Sequence, residues 1–146
     1  MAVLYTIDAS VFINAFNPHE AGHEASYRLL SILREKTTPI ILPTLLIPEV
    51  AAAIRRGRED ADLARRFVQA LGRLPYLMFI PLDTTLAHEA AEVATQYRLR
   101  GSDAVYTAVG QRFGCQLITL DREQRDRVLG VLTVRTPTEE LAELGG

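Results

Sequence analysis

The chain has one cysteine, no tryptophan, a single lysine and no long apolar run. Each scarcity excludes something. One thiol, Cys115, cannot form an internal disulfide, which fits a reducing cytoplasm and leaves the fold to be held by packing. No apolar run approaches the roughly 20 residues that span a bilayer, so no membrane helix is expected. The opening "MAVLYTIDAS" has no basic leader and turns acidic at Asp8, which speaks against a secretory signal. With 16 cations against 18 acids, the net charge of −2 is not the basic footprint of a tight nucleic-acid binder. Charge distribution matters more than the sum, however. All the cations except Lys36 are arginines, whose guanidinium forks suit phosphate and carboxylate partners.

At 146 residues and 48% hydrophobic composition, the chain reads as one globular domain, residues 1–146, without internal repeat, low-complexity tract or linker. Five short β-rich runs punctuate it: "VLYTID", "PIILP", "LMFIPL", "QLITLD" and "VLTVRTP". Helical patterns fill the gaps. In "TLAHEAAEVATQY", Leu86, Ala90, Val93 and Tyr97 fall in a narrow arc at about 100° per residue. Two further helical regions, "ASYRLLSILREK" and "DADLARRFVQALGRLPYLMF", carry apolar faces, the latter with Leu63, Phe67, Ala70 and Leu74 along one stripe. The acidic tail "TEELAEL" reads as a short terminal helix. Strands alternating with helices predict an α/β fold of three layers, a mainly parallel sheet of about five short strands flanked by helices. In such sheets ligands bind outside the carboxyl ends of the strands.

That rule directs attention to the acids. Asp8 closes the first strand and Asp121 the "QLITL" strand, so a parallel sheet places both on one edge. Glu49, in the early turn of "PTLLIPEVAAAIRRG", faces the same edge, beside the stripe of Leu46, Val50 and Ala53. Asp103 opens the helix "SDAVYTAVGQRF", flanking the stripe of Tyr106, Val109 and Phe113. Three of the acids have a plainer explanation: Asp103 as a first-turn acid behind a Ser102 cap, Asp121 as the N-cap of "REQRDR", Glu49 as a solvated helix residue. Asp8 resists one, because a carboxylate closing a buried strand costs energy unless it is paired, hydrogen-bonded or bound to metal. Four clustered carboxylates want a hard divalent cation, Mg²⁺ or Mn²⁺.

"HEAGHEA" contains His19, Glu20 and His23 in the H-E-x-x-H order of zinc peptidases. The preceding "NPHE" offers a structural alternative, with Asn17 as N-cap, Pro18 at N1 and Glu20 at N3 of a helix. Gly22 weakens a helix between the two imidazoles, and His88 falls opposite the apolar stripe of its own helix. Nothing downstream resembles the remainder of a peptidase, so the helix start is preferred.

"YTIDASVFIN", "IPEVAAAI", "LRGSDAVYTAV" and "LITLD" resemble, in order and spacing, the motifs of PIN-domain nucleases, and most closely those of VapC-type toxins of toxin–antitoxin pairs. The resemblance runs over nearly the whole chain. It implies a PIN-like fold and a Mg²⁺- or Mn²⁺-dependent endoribonuclease, with Asp8, Glu49, Asp103 and Asp121 as catalytic metal ligands. Ser10 and Thr119 match the small-hydroxyl positions near the first and last acids; ordinary turn or strand hydroxyls are the alternative. Arg100 and Arg122 are the arginines nearest those motifs in sequence. The resemblance also implies an RNA substrate, a homodimer and a cognate antitoxin partner. Action on DNA, RNA processing without an antitoxin, and a non-catalytic RNA-binding module are the remaining readings.

Overall fold

The computed structural model describes residues 2–57 and 60–145. The elements run β1 (Tyr5–Ile7), α1 (Ala9–Phe16), α2 (His23–Glu35), β2 (Ile40–Pro43), α3 (Leu46–Gly57), α4 (Ala61–Gly72) and β3 (Leu77–Ile80). They continue with α5 (Thr84–Tyr97), α6 (Gly101–Phe113), β4 (Gln116–Ile118), α7 (Arg122–Arg127), β5 (Val134–Arg135) and α8 (Pro137–Gly145). The five strands form one sheet in the order β3-β2-β1-β4-β5, and every pairing is parallel. The α/β architecture expected from the alternating pattern is the one observed.

The strand order reverses direction between β1 and β4, the switch point where a parallel sheet opens a crevice at its carboxyl edge. Asp8 sits there by backbone necessity. Its N–H makes the last ladder bond, to Ile118 O at 2.9 Å, and its carbonyl accepts from Val11 N at 3.0 Å in the first turn of α1. One residue thus ends β1 and starts a helix. Thr119 N in turn bonds Arg135 O at 3.1 Å, so the chain leaves β4 at the same level.

The strands are fully buried where the two sheet faces are covered; Ile7, Ile40, Leu42, Leu117 and Ile118 are all inaccessible. Each such side chain contributes on the order of 2 kcal/mol of burial free energy. Helix α6 packs across β1, β2 and β4, with α5 behind it. Residues Asp103 to Gly110 of α6 are buried without interruption, so this helix is central rather than amphipathic. Gly110 permits the close approach: a Cβ there would meet Leu132 Cδ1 at 3.0 Å and Thr6 Cγ2 at 3.6 Å.

Three expectations are revised. Helix α2 begins at His23, after a left-handed Gly22, and not at Pro18; Asn17 instead makes a local turn, accepting from His19 N at 3.1 Å. Arg100, not Ser102, is the N-cap residue of α6, because the chain is still extended there. Helix α4 ends at Gly72, short of Leu74; its buried face is Ala64 and Leu71, with Leu63 and Phe67 half-buried and Ala70 exposed. The tail forms the short terminal helix expected, α8, and it is anchored. Its Glu140 is buried, accepts from the Tyr5 hydroxyl, and pairs with Arg135 at 2.9 Å. Burial and the Glu140 carboxylate together raise the Tyr5 phenol well above its ordinary pKa.

Candidate active site

The carboxyl edge of the sheet opens into a cleft of about 600 Å³, lined among others by Asp8, Ser10, Glu49, Arg56, Arg100, Asp103 and Asp121. All four acids singled out in the sequence face it. They arrive from four segments: the end of β1, the first turn of α3, the first turn of α6 and the start of α7.

Each acid is held differently. Asp8 Oδ2 lies 2.6 Å from the Ser10 hydroxyl and 3.2 Å from that of Thr119. Both hydroxyls expected near the first and last acids are therefore in place, though only Ser10 lines the cleft. Burial raises the Asp8 pKa, and the two hydroxyl bonds pull it partly back. Glu49, half-buried, takes a 2.7 Å bond from the Tyr106 hydroxyl on Oε1. Its pKa is raised by burial, lowered by that bond, and raised again by the charges of Asp8 and Asp103. Asp103 is likewise raised by burial, lowered by the Arg100 hydrogen bond and raised by Asp8. These acids thus feel one another's charge.

Asp121 does two jobs. Its Oδ1 caps α7, accepting from Glu123 N at 3.0 Å and Gln124 N at 3.2 Å, as the plainer explanation had it. Its Oδ2 faces the cleft and pairs with the Arg100 guanidinium. The same guanidinium bonds Asp103 Oδ2 through Nε at 3.1 Å.

Three contributors escaped sequence reasoning. Tyr106 was assigned to an apolar stripe, yet its hydroxyl positions Glu49. Gln124, fully buried, lies 2.9 Å from the Thr119 hydroxyl through Oε1 and donates to the Asp103 carbonyl at 3.2 Å, bracing β4 against α6. A polar residue inside an otherwise charged six-residue helix was the available signal. Arg56 lines the cleft from α3, two turns beyond Glu49. Arg122 is exposed and does not line it.

The donor set is all carboxylate oxygen, which fits a hard divalent cation and not zinc. Among the described residues, no three His, Cys, Asp or Glu side chains are gathered tightly enough to hold an ion as placed.

The H-E-x-x-H triplet has another purpose. Asn14, buried on α1, donates to Glu20 Oε1 at 2.8 Å and to Ala21 O at 2.9 Å, and accepts from the Ser26 hydroxyl at 2.7 Å. His23 Nδ1 lies 2.9 Å from the Asn14 carbonyl, while His19 is exposed and lies outside α2. His88 is exposed as well. The triplet is a clasp closing the α1–α2 connection, and its two imidazoles do not share a helix face. Cys115 is buried, and burial pushes its thiol up to about 11, consistent with a small apolar filler.

A parallel α/β sheet with an acidic cleft at its switch point defines a class before any comparison is made. Comparison then supplies the family. The PIN domain matches residues 5–128, and the chain belongs to that family, one of nucleases. Solved structures agree on the fold. A chain of VapBC2 from Rickettsia felis, bound to a DNA fragment of its promoter, is 14% identical, with TM-score 0.69, covering 92% of this chain and 98% of that one. VapC20 of Mycobacterium tuberculosis, a sarcin–ricin loop cleaving toxin, is 17% identical, with TM-score 0.71, covering 84% and 93%. A Pyrobaculum aerophilum protein is 24% identical, with TM-score 0.69, covering 99% and 91%. No curated protein matches the chain in sequence.

Proposed function

We propose that the protein is a divalent-metal-dependent endoribonuclease, the toxin of a toxin–antitoxin pair. One observation carries the chemistry: Asp8, Glu49, Asp103 and Asp121 converge from distant segments on a single cleft that also carries Arg56 and Arg100. Mg²⁺ or Mn²⁺ held by Asp8 and Asp103, with Glu49 and Asp121 beside them, would supply Lewis-acid activation of water and of the phosphodiester. The chain's own residues do the rest. Ser10 and Thr119 hold Asp8 in one orientation. Tyr106 occupies Glu49 Oε1, leaving Oε2 as the atom able to take a proton from the attacking water. Arg56 contacts the RNA backbone at the cleft wall, which explains how a chain of net charge −2 binds a polyanion.

The toxin assignment is supported by the company the fold keeps. Several similar structures are toxin–antitoxin complexes, including one from Klebsiella pneumoniae at 18% identity and TM-score 0.65, covering 93% of this chain and 98% of that one. An apolar groove of about 370 Å³ between α1, α2 and α4 is lined by Phe12, Phe16, Tyr27, Leu30, Phe67 and Leu71. In this reading the groove takes the antitoxin segment, and an arginine of that segment reaches the acids. The toxin itself is a cytoplasmic homodimer. No described helix is long and apolar enough to cross a membrane.

The decisive experiment is cleavage of single-stranded RNA with Mg²⁺, with Mn²⁺ and in excess chelator. Cleavage that depends on added metal and is suppressed by the neighbouring gene product supports the reading. Full activity in chelator overturns the metal, cleavage of DNA alone overturns the substrate, and indifference to the neighbouring product overturns the toxin. Light scattering reporting the monomer mass overturns the dimer.

A further inference from the structure

We propose that Arg100 is a built-in counter-cation of the acidic cleft: it exchanges with the divalent ion on Asp103 and Asp121, and once released holds the RNA phosphate. The inference rests on the metal-nuclease reading and extends it to the regulation of metal loading.

The competition is atom for atom at Asp121. Arg100 Nε donates to Asp103 Oδ2, and its terminal nitrogen pairs with Asp121 Oδ2. Asp121 has no other oxygen to offer, because Oδ1 is committed to Glu123 N and Gln124 N at the start of α7. An ion that reaches Asp121 through Oδ2 therefore competes with the guanidinium. The other two acids are held by neutral donors only, Asp8 by hydroxyls and Glu49 by Tyr106. The cleft is divided into an arginine-bound pair and a hydroxyl-bound pair.

Displacement is easy in one direction. The Arg100 side chain is 68% exposed, whereas Asp103 and Asp121 are 10% and 23% exposed, so the arginine lies over the acids from the solvent side. Swinging it away uncovers the carboxylates without opening the core. Arg100 is the N-cap residue of α6, with extended backbone, so rotation of its side chain disturbs no helical turn. A released guanidinium remains at the cleft mouth. Together with Arg56 on the α3 side it presents two forked donors to a phosphodiester. A purely structural Arg100, tying α6 to α7, would behave oppositely when removed: the acids would loosen and metal would bind less well.

Mn²⁺ titration of the full chain without RNA, followed by the electron paramagnetic resonance of free Mn²⁺, separates the two. Arg100→Ala and Arg100→Gln should each bind Mn²⁺ more tightly than the unaltered protein, by at least about fivefold, with Arg100→Lys between. At saturating Mn²⁺, the KM for RNA should rise by a comparable factor in the same variants, with Arg100→Lys the least affected. Unchanged or weaker Mn²⁺ binding in both neutral variants, with melting temperatures preserved, would overturn the proposal and leave the nuclease reading standing. Failure of every form, including the unaltered protein, to bind Mn²⁺ would overturn the metal-nuclease reading and the proposal with it.

Discussion

The Tyr106 hydroxyl donates a 2.7 Å hydrogen bond to Glu49 Oε1, joining the helix that carries Asp103 to the helix that carries Glu49. Tyr106 lies on α6 one turn after Asp103, and its ring is fully buried. The bond therefore fixes the spacing of two acids that come from chain segments 54 residues apart. Burial and the Glu49 charge raise the Tyr106 phenol far above its ordinary pKa, so it acts as a donor at every accessible pH.

Removing that donor gives the first test. Tyr106→Phe keeps the ring and its packing and loses about 1 kcal/mol of stability. Glu49 loses the bond that lowers its pKa while keeping the burial that raises it. The acidic limb of the pH–rate profile should move to higher pH, and turnover should fall by less than the roughly hundredfold that is the lower end of what a positioned acid–base group contributes, because Glu49 itself remains. An unshifted acidic limb in a folded variant would show that Glu49 does not titrate in the rate-limiting step.

The acids and the histidines can be separated by substitution. Asp103→Asn keeps shape and removes charge, so RNA cleavage should collapse by at least about a hundredfold while the circular dichroism spectrum is retained. His19→Ala combined with His23→Ala should leave cleavage nearly intact, since His19 is exposed and His23 only supports the Asn14 clasp. A folded but inactive double variant would return the histidines to the reaction.

Stability should depend on pH through the cluster itself. Asp8, Glu49 and Asp103 all have raised pKa values, so between their unfolded and folded pKa values the folded state binds more protons than the unfolded chain. Their contribution is fully favourable below the unfolded pKa of about 4 and is lost as pH rises through the folded values. Asp8→Asn removes one such group. In chelator at neutral pH it should melt higher than the unaltered protein, by about 3 °C for each kcal/mol relieved, with the gain vanishing toward pH about 4. A variant that melts lower at neutral pH would show that the Asp8 bonds to Ser10 and Thr119 outweigh its burial.

The Asn14 clasp carries a different expectation. Asn14→Ala strands the buried Ser26 hydroxyl and frees Glu20 and the Ala21 carbonyl. Chemical denaturation should register a loss of roughly 2–3 kcal/mol, the cost of an unsatisfied buried group plus the lost bonds. A loss below about 0.5 kcal/mol, the ordinary range of a surface substitution, would mean that the loop is closed by other contacts.

Local signals in the chain were sufficient for the sheet and for the acids. Short apolar runs bounded by Pro, Asp and Gly marked the strands, and alternation with helical patterns implied parallel pairing. Asp8 was legible because a carboxylate closing a buried strand has few structural reasons to exist, and Asp121 because a parallel sheet brings its strand end to the same edge. Glu49 and Asp103 were legible because each flanks an apolar stripe and so faces the packed side of its helix. These inferences need only periodicity and the geometry of a parallel sheet, both of which operate over a few residues.

Tertiary structure decided the partners. Arg100 bridges to Asp121 across 21 positions, Tyr106 to Glu49 across 57, and Tyr5 to Glu140 across 135. No periodicity encodes such pairs, because they depend on where packed helices bring their side chains. A tyrosine in an apolar stripe and a glutamate in an acidic tail look ordinary until the fold supplies the group opposite. "HEAGHEA" shows the same limit from the other side. Its spacing presumes one continuous helix, but the buried Asn14 holds Glu20 and the Ala21 carbonyl in a turn and the helix begins only at His23. The sequence by itself determined which acids reach the carboxyl edge of the sheet. Only the three-dimensional packing determined which of them touch, because hydrogen bonds and ion pairs form between neighbours in space, and the chain makes most of those neighbours far apart in order.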